Sequence, residues 1–320
     1  MAESSNHRII LTGASGMLGR AILRQLSERK GTAVLALYRS IPQKSQSAHI
    51  KSAVADLSDA AGIDGQLRAF KPTVFIHAAA TGMQLPRPST AELMETNAIM
   101  PAHLAEAVAR AGGCSFVHVS SGLAYRDQGR CLREEDPLDT RHPYGASKTE
   151  GEKRLRAAAG QWNLPLTIVR PFSFTGEGDF GTRLFPSLLR SAFEGNSFPM
   201  SAGDQVRDHS SVDDIAAGVT AAALAPAETR APLVYNLGAG DTRTLRELAT
   251  SVIDQLGLKI NVQFGARPLA GDEPMFLVPD MAHTRARLGW QARQNVAYAV
   301  WRLARHSFPA LVVNEPARYL

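Results

Sequence analysis

Cysteine is nearly absent from this chain. Cys114 and Cys131 are the only two in 320 residues, and neither has metal-ligand spacing, so a disulfide framework and a thiolate metal site are both excluded. Nor does the chain hold an apolar run near the ~20 residues that a membrane span requires. The opening "MAESSNHR" is short and polar, not the charged-then-apolar pattern of a secretory signal. Lysine and arginine form no block. The net charge of +5 therefore describes a mildly basic surface suited to anionic small molecules, not a nucleic-acid groove. Charged residues are only 20% and evenly scattered, while 44% of the chain is hydrophobic, which excludes disorder and provides for a large core. The expected class is a cytoplasmic enzyme with no metal, no membrane contact and no nucleic-acid partner.

What is present is alternation. Short aliphatic runs at 8–13, 33–38, 49–57, 73–80, 115–122 and 165–171 read as strands. Helical patterns at 17–30, within 89–112 and at about 145–160 separate several of them. Strands apolar on both faces, alternating with helices, predict an α/β fold with a doubly wound parallel sheet. After Pro171 the rhythm changes. A helix near 182–194, a glycine-containing loop and a helix "VDDIAAGVTAAAL" precede one more core strand, "LVYNLG" at 233–238. Asp213 or Asp214 stands near that helix's start, where a carboxylate suits unpaired amides. The expected division is a dinucleotide-binding lobe over 1–171, to which 212–238 returns. A smaller, mostly helical substrate-binding lobe is made of 172–211 and 239–320.

"TGASGMLG" places Gly13, Gly16 and Gly19 between the first strand and the first helix. Glycine at this spacing permits a tight turn, close approach of a pyrophosphate and tight helix–strand packing, with the helix N-terminus presenting free amides to phosphate. Ser15, Met17 and Leu18 in the same loop are assigned with them to the cofactor site. The second strand ends "LALYRS", so Tyr38 stands where a ribose-binding carboxylate is usual, followed by Arg39 and Ser40. A guanidinium and a hydroxyl bind a 2′-phosphate that a carboxylate would repel, so NADP(H) is the preferred cofactor and NAD(H) the alternative. Asp56 and Leu57 follow the third strand and are placed to meet the adenine.

The fifth strand ends in Ser120 and Ser121, and "HPYGASKTEGEK" puts Tyr144 and Lys148 four residues apart at the start of a helix. Such residues share one helix face. An ammonium beneath a phenol is expected to lower its pKa from about 10 and let it shuttle a proton. A serine at the carboxyl end of a parallel strand can hydrogen-bond a substrate oxygen. The three groups suit hydride transfer at a secondary alcohol or ketone.

With "TGASGMLG", "HAAA", "ETNAIMPAHLAEA", "VSSGLAY", "YGASK", "VRPFSFTGEGD", "RDHSSVDDIA", "YNLGAG" and "RPLAGDEPMFLVPDMAHTRARLGW" in this order, the chain resembles the extended short-chain dehydrogenase/reductase family, in particular its nucleotide-sugar epimerases, dehydratases and 4-ketoreductases. The resemblance implies a Rossmann-type fold. It also implies Ser121, Tyr144 and Lys148 as the catalytic set, Ala78, Ala79, Ala80 and Asn97 around the cofactor, and Pro171 over the nicotinamide. Thr81, Ser121, Ser173, Arg207 and Arg267 become the implied substrate contacts, the two arginines on a diphosphate, where guanidinium pairs well with phosphate oxygens. Two departures matter. Ser173 stands where many relatives carry asparagine, and Gly122 and Leu123 replace the acidic pair that supplies elimination chemistry in 4,6-dehydratases. His142 and His209 receive no role. The leading expectation is an NADPH-dependent reductase of a nucleotide-activated 4-keto-6-deoxy sugar. An NAD-dependent nucleotide-sugar 4-epimerase comes next, then a reductase of a non-sugar ketone, and last a non-catalytic sensor or scaffold. The family often forms dimers through a helix bundle, and the helices around 89–112 and 145–160 make a homodimer the expected state.

Overall fold

The computed structural model describes residues 7–40, 49–82, 87–226, 232–269, 271 and 273–319. Ala270 and Asp272 of the late motif lie outside the described residues. In chain order the first half runs β1 (His7–Thr12), α1 (Met17–Ser27), β2 (Thr32–Tyr38), β3 (Ile50–Val54), α2 (Ala60–Phe70), β4 (Val74–His77), α3 (Thr90–Met94), α4 (Met100–Arg110), β5 (Ser115–Val119), α5 (Pro143–Trp162) and β6 (Leu166–Pro171). The second half adds β7 (Ser173–Thr175), α6 (Leu184–Glu194), β8 (Phe198–Met200), β9 (Val206–Arg207), β10 (His209–Ser211), α7 (Val212–Leu224) and β11 (Leu233–Leu237). It closes with α8 (Leu245–Leu256), β12 (Val262–Phe264), β13 (Phe276–Leu277), α9 (Ala282–Leu288) and α10 (Val296–Ser307).

Seven strands form one sheet in the order β11-β6-β5-β4-β1-β2-β3, and every pairing in it is parallel. Parallel strands need helical crossovers, which cover both faces, and this is why β4 (VFIH) is buried along its whole length. One face carries α1 and α7, with Ile215 of α7 packing over Ile9, Leu11, Val34 and Ile76; the other carries α2, α4 and α5 over Ile10, Leu35, Phe75, Phe116 and Ile168. The order reverses between β1 and β4. That reversal opens a crevice at the carboxyl ends of the strands, where α/β proteins bind ligands.

A separate core lies beyond the sheet, built from Phe185, Leu188, Leu189, Leu248, Val252, Val300 and Leu303 of α6, α8 and α10. The C-terminal segment is shared between the two cores, since Met281 and Trp290, flanking α9, pack with the α1–α7 face. Among the described residues no helix is long and apolar enough to cross a membrane.

Local sequence explains most helix ends. Pro143 occupies the first turn of α5, where its missing N–H costs nothing, and His142 accepts from the Gly145 amide at the cap. Asn163 closes α5 in the left-handed region at φ 49°. Ser89 with Glu92 and Thr244 with Glu247 form capping boxes on α3 and α8. The single helix expected within 89–112 is interrupted. α3 passes through a π-helical turn, Glu95–Ile99, into α4, and that turn carries Asn97.

Candidate active site

The crevice begins at the glycine loop. Gly13 has φ +71°, and a Cβ there would lie 2.5 Å from the Ala78 carbonyl carbon and the Ala79 amide, so the loop presses on the end of β4. A Cβ on Gly19 would overlap the Gly13 carbonyl. Both glycines are therefore demanded by the protein itself. Gly16 is different, because a Cβ there would meet only the Gly13 oxygen, at 3.3 Å. Gly16 caps α1 with no side-chain hydrogen bond, and no acidic residue occupies the first turn, so the amides over Met17 and Leu18 face outward with a positive helix end. The site fits a pyrophosphate, whose close approach is the remaining reason for glycine at 16. Arg20 fastens the loop by donating to the Ser15 carbonyl, and reaches the Gly178 carbonyl at 3.3 Å.

At the reacting end, Ser121 follows β5 and caps a short 3₁₀ turn, accepting from the Leu123 amide at 3.1 Å. Tyr144 and Lys148 lie on the first turns of α5. The Lys148 side chain is 1% exposed, and its Nζ donates to the Val119 carbonyl at 2.8 Å. Its Nζ stands 6.0 Å from the centre of the Tyr144 ring. Burial lowers the Lys148 pKa to about 8, partly offset by Glu152. Burial raises the Tyr144 pKa to about 12, opposed by Arg183. This differs from the expected lowering of the phenol by Lys148. The i, i+4 spacing brings the residues together, but the ammonium is anchored on Val119, below the ring, and desolvation outweighs its pull.

The supporting residues are placed as follows. Ala78, Ala79 and Ala80 lie directly after β4, and the Ala79 amide donates to Thr12 Oγ1 at 3.3 Å. Asn97 is fully buried. Its Nδ2 donates to the Thr81 carbonyl at 2.9 Å and to Ser147 Oγ at 3.0 Å, and its Oδ1 accepts from the Thr81 amide at 3.0 Å. Asn97 therefore ties the chain after β4 to α5, and its polar atoms are spent within the protein. Pro171 ends β6 and is paired with Leu237.

At the adenosine end, Arg39 and Ser40 are exposed at the carboxyl end of β2. The Tyr38 side chain does not stand in the ribose-binding place. It is packed into the α1–α7 core at 6% exposure, its hydroxyl buried on the side of Ser52. Asp56 is exposed; its carboxylate accepts from the Ser58 amide at 2.9 Å and Ser58 Oγ at 2.7 Å, bonds that lower its pKa, and Arg39 adds to the effect. Leu57 packs partly against the α2 face of the sheet.

In the second lobe Ser173 opens β7 and registers with His209 on β10. Arg207 is 5% exposed, pairs with Glu273 at 2.6 Å and donates to the Pro274 carbonyl. Arg267 is exposed in the loop after β12, where its amide bonds the Met200 carbonyl at 3.1 Å. Three groups escape sequence reasoning. Arg183 pairs with Asp179 at 2.5 Å, donates to the Phe174 carbonyl at 2.8 Å, and its charge reaches both Tyr144 and His209. Glu152 and Arg170 form a buried pair beneath Lys148. Glu152 was legible in principle as the next i+4 step after Tyr144 and Lys148, whereas Arg183 had no local signal.

Comparison with known proteins finds relatives among nucleotide-sugar enzymes. A UDP-glucose 4-epimerase of Neisseria meningitidis serogroup B is 31% identical over 225 residues, which cover 62% of this chain and 65% of that protein. A dTDP-4-dehydro-6-deoxy-D-allose reductase of Streptomyces bikiniensis is 28% identical over 269 residues, 78% of this chain and 81% of that enzyme. Among solved structures, the UDP-glucuronic acid 4-epimerase of Bacillus cereus, in complex with UDP-glucuronic acid and NAD, superposes with a TM-score of 0.83 at 18% identity, over 95% of this chain and 99% of that one. That last likeness speaks for the fold. The sequence profile of the NAD dependent epimerase/dehydratase family matches residues 9–238. With this match across the sheet, the glycine loop and the Ser121–Tyr144–Lys148 set, the chain belongs to the NAD dependent epimerase/dehydratase family, within the extended short-chain dehydrogenase/reductases.

Proposed function

We propose that this protein is an NAD(P)-dependent oxidoreductase acting at C4 of a nucleotide-diphosphate sugar, and more finely an NADPH-dependent reductase of a 4-keto-6-deoxy sugar. The glycine loop and the first turn of α1 would hold the dinucleotide pyrophosphate, and Arg39 with Ser40 its 2′-phosphate. The bound nicotinamide supplies the hydride. Ser121 holds the C4 oxygen by a hydrogen bond. Tyr144 gives its proton to that oxygen as the C–H bond forms, and Lys148 compensates the charge left on the phenol. Arg207, paired with Glu273 in this structure, would have to exchange that partner to hold the diphosphate. The observation that carries the reductase reading is the exposed Arg39–Ser40 pair at the end of β2, where Tyr38 replaces the usual carboxylate and the acidic group acting on Arg39 is Asp56 of the next loop.

A 4-epimerase is the second reading, favoured by the UDP-glucose 4-epimerases among the relatives. An epimerase returns its hydride to the same substrate and needs no external reductant. A 4,6-dehydratase is disfavoured by Gly122, where a Cβ would lie 2.9 Å from the Phe172 ring, leaving no room for an acidic side chain. We further propose a homodimer through α4 and α5, which sedimentation in solution tests. The deciding experiment is incubation with a panel of nucleotide sugars and their 4-keto derivatives, following NADPH absorbance and product mass. Stoichiometric NADPH loss with a 4-keto substrate supports the reductase. Interconversion of UDP-sugars without added cofactor moves the epimerase ahead, and turnover of neither class overturns the proposal.

A further inference from the structure

Tyr144, Lys148 and Glu152 follow one another at i, i+4 and i+8 along α5, on a single face turned toward the end of β5. Lys148 and Glu152 are each 1% exposed. Lys148 Nζ is bonded to the Val119 carbonyl. One residue further, the Ser120 hydroxyl lies beside the Glu152 carboxylate, buried and without a completed hydrogen bond. Val119 is therefore held by a bond from α5, and Ser120 lies against the next turn of the same helix, immediately before Ser121. Glu152 is itself immobilised. Arg170 Nε meets Oε1 at 2.8 Å and Arg170 Nη2 meets Oε2 at 2.6 Å, the two-bond geometry of a guanidinium–carboxylate pair. Arg170 then donates to the Tyr125 hydroxyl at 2.6 Å, which donates to Asn236 on β11 at 2.7 Å. Arg170 also directly precedes Pro171.

We propose that Glu152, locked by Arg170, is a positioning residue for the proposed proton relay: its buried carboxylate keeps Lys148 in the charged form and fixes the strand end that carries Ser121. Physical reasoning supports a role beyond mortar. A lysine buried among apolar groups loses its proton easily. The groups facing Lys148 are Tyr144 and Glu152 on α5, His118 on β5 and His77 on β4, with Arg170 behind Glu152 on β6. Both histidines are kept neutral by burial, and neither offers Lys148 a negative charge. Glu152 is the group in this set that raises the lysine's affinity for its proton.

The inference rests on Lys148 as the partner of Tyr144, yet its test needs no substrate. The titration of Lys148 is followed by carbon-13 NMR on protein labelled at lysine Cε, the resonance being assigned by its loss in Lys148→Arg. Glu152→Gln is expected to lower the Lys148 midpoint by about one pH unit or more, a tenfold change in its acid constant. That variant leaves Arg170 buried and unpaired and is at risk of misfolding. The double variant Glu152→Leu/Arg170→Met leaves no uncompensated charge, and apolar replacement of a buried pair is commonly tolerated. Its midpoint is also expected to fall, because Glu152 is among the charges acting on Lys148 and Arg170 is not. A lowered melting temperature with an unchanged Lys148 midpoint in either variant overturns the proposal and leaves the pair as structural support only. Absence of sugar-nucleotide turnover leaves this measurement unaffected, so the two readings fail separately.

Discussion

Alanine at Gly16 and alanine at Gly19 are expected to do opposite things, although both remove a glycine from one loop. Gly16 has φ −72° and ψ 165°, which alanine adopts freely. The added methyl meets only the Gly13 oxygen at 3.3 Å, which a small shift relieves, so stability should change by less than about 1 kcal/mol. At Gly19 the methyl overlaps the Gly13 carbonyl and crowds Ala14 Cα at 2.9 Å, both backbone. Nothing there can rotate away, and overpacking of this kind costs about 3 kcal/mol. At roughly 2–4 °C per kcal/mol for a large domain, Gly19→Ala should melt roughly 6–12 °C below wild type, while Gly16→Ala stays within a few degrees. Binding should sort the other way. If the reason for glycine at 16 lies in the approach of a pyrophosphate, Gly16→Ala loses at least about 1.4 kcal/mol of dinucleotide affinity, tenfold in Kd. Differential scanning calorimetry and titration calorimetry with NADPH and NADH measure the two quantities. A Gly16→Ala protein that melts normally and binds both dinucleotides as tightly as wild type would refute the placement of the phosphates.

Three further outcomes follow from the site. Tyr144→Phe should bind cofactor normally and lose at least about 10²-fold in turnover, the lower range for a general acid; near-normal turnover removes Tyr144 from the reaction. Wild type should bind NADPH at least about tenfold (~1.4 kcal/mol) more tightly than NADH, with Arg39→Ala abolishing most of the difference. Equal Kd values for wild type, or protein purified with tightly held NAD, favour the epimerase. Acid should destabilise the fold through its buried histidines. His77 and His209 are lowered to about 3 by burial, and His118 is also held well below the usual range. Between about pH 6.5 and 3 the unfolded chain takes up protons that the folded chain refuses. Stability is thus lost as pH falls, by about 1.4 kcal/mol per unit for each such histidine. Urea midpoints from pH 7 to 4 give this slope, and a His118→Gln variant with the same slope as wild type would show that His118 does not contribute.

Much of this protein is determined locally. β1, α1 and the glycine loop are legible because each rests on periodicity or on backbone freedom that a short stretch encodes by itself. That Tyr144 and Lys148 share a helix face is legible from their spacing, whereas the choice of Ser121 beside Ser120 came from the family resemblance. The second helix was not legible: α2, AAGIDGQLRAF, carries two glycines and is held by its Asp59 cap and by packing of Ile63 and Leu67 rather than by propensity. The π turn at Asn97 was not legible either, since it is paired with Thr81, and Gly151 of α5 is required beside it by close approach to the Asn97 carbonyl. Tyr38 shows the limit at a single side chain. Its position in the chain is that of a usual ribose-binding carboxylate, and the structure turns its ring into the core beside α1. The charge state of the reacting pair was decided last and furthest from the sequence. Spacing placed an ammonium near a phenol, whereas the depth of burial, the Val119 carbonyl and the pairing of Glu152 on α5 with Arg170 on β6 make the surroundings that shift the two groups in opposite directions. Helix period and glycine freedom are properties of a few consecutive residues, but desolvation depends on everything packed around a group, and only the assembled fold supplies that.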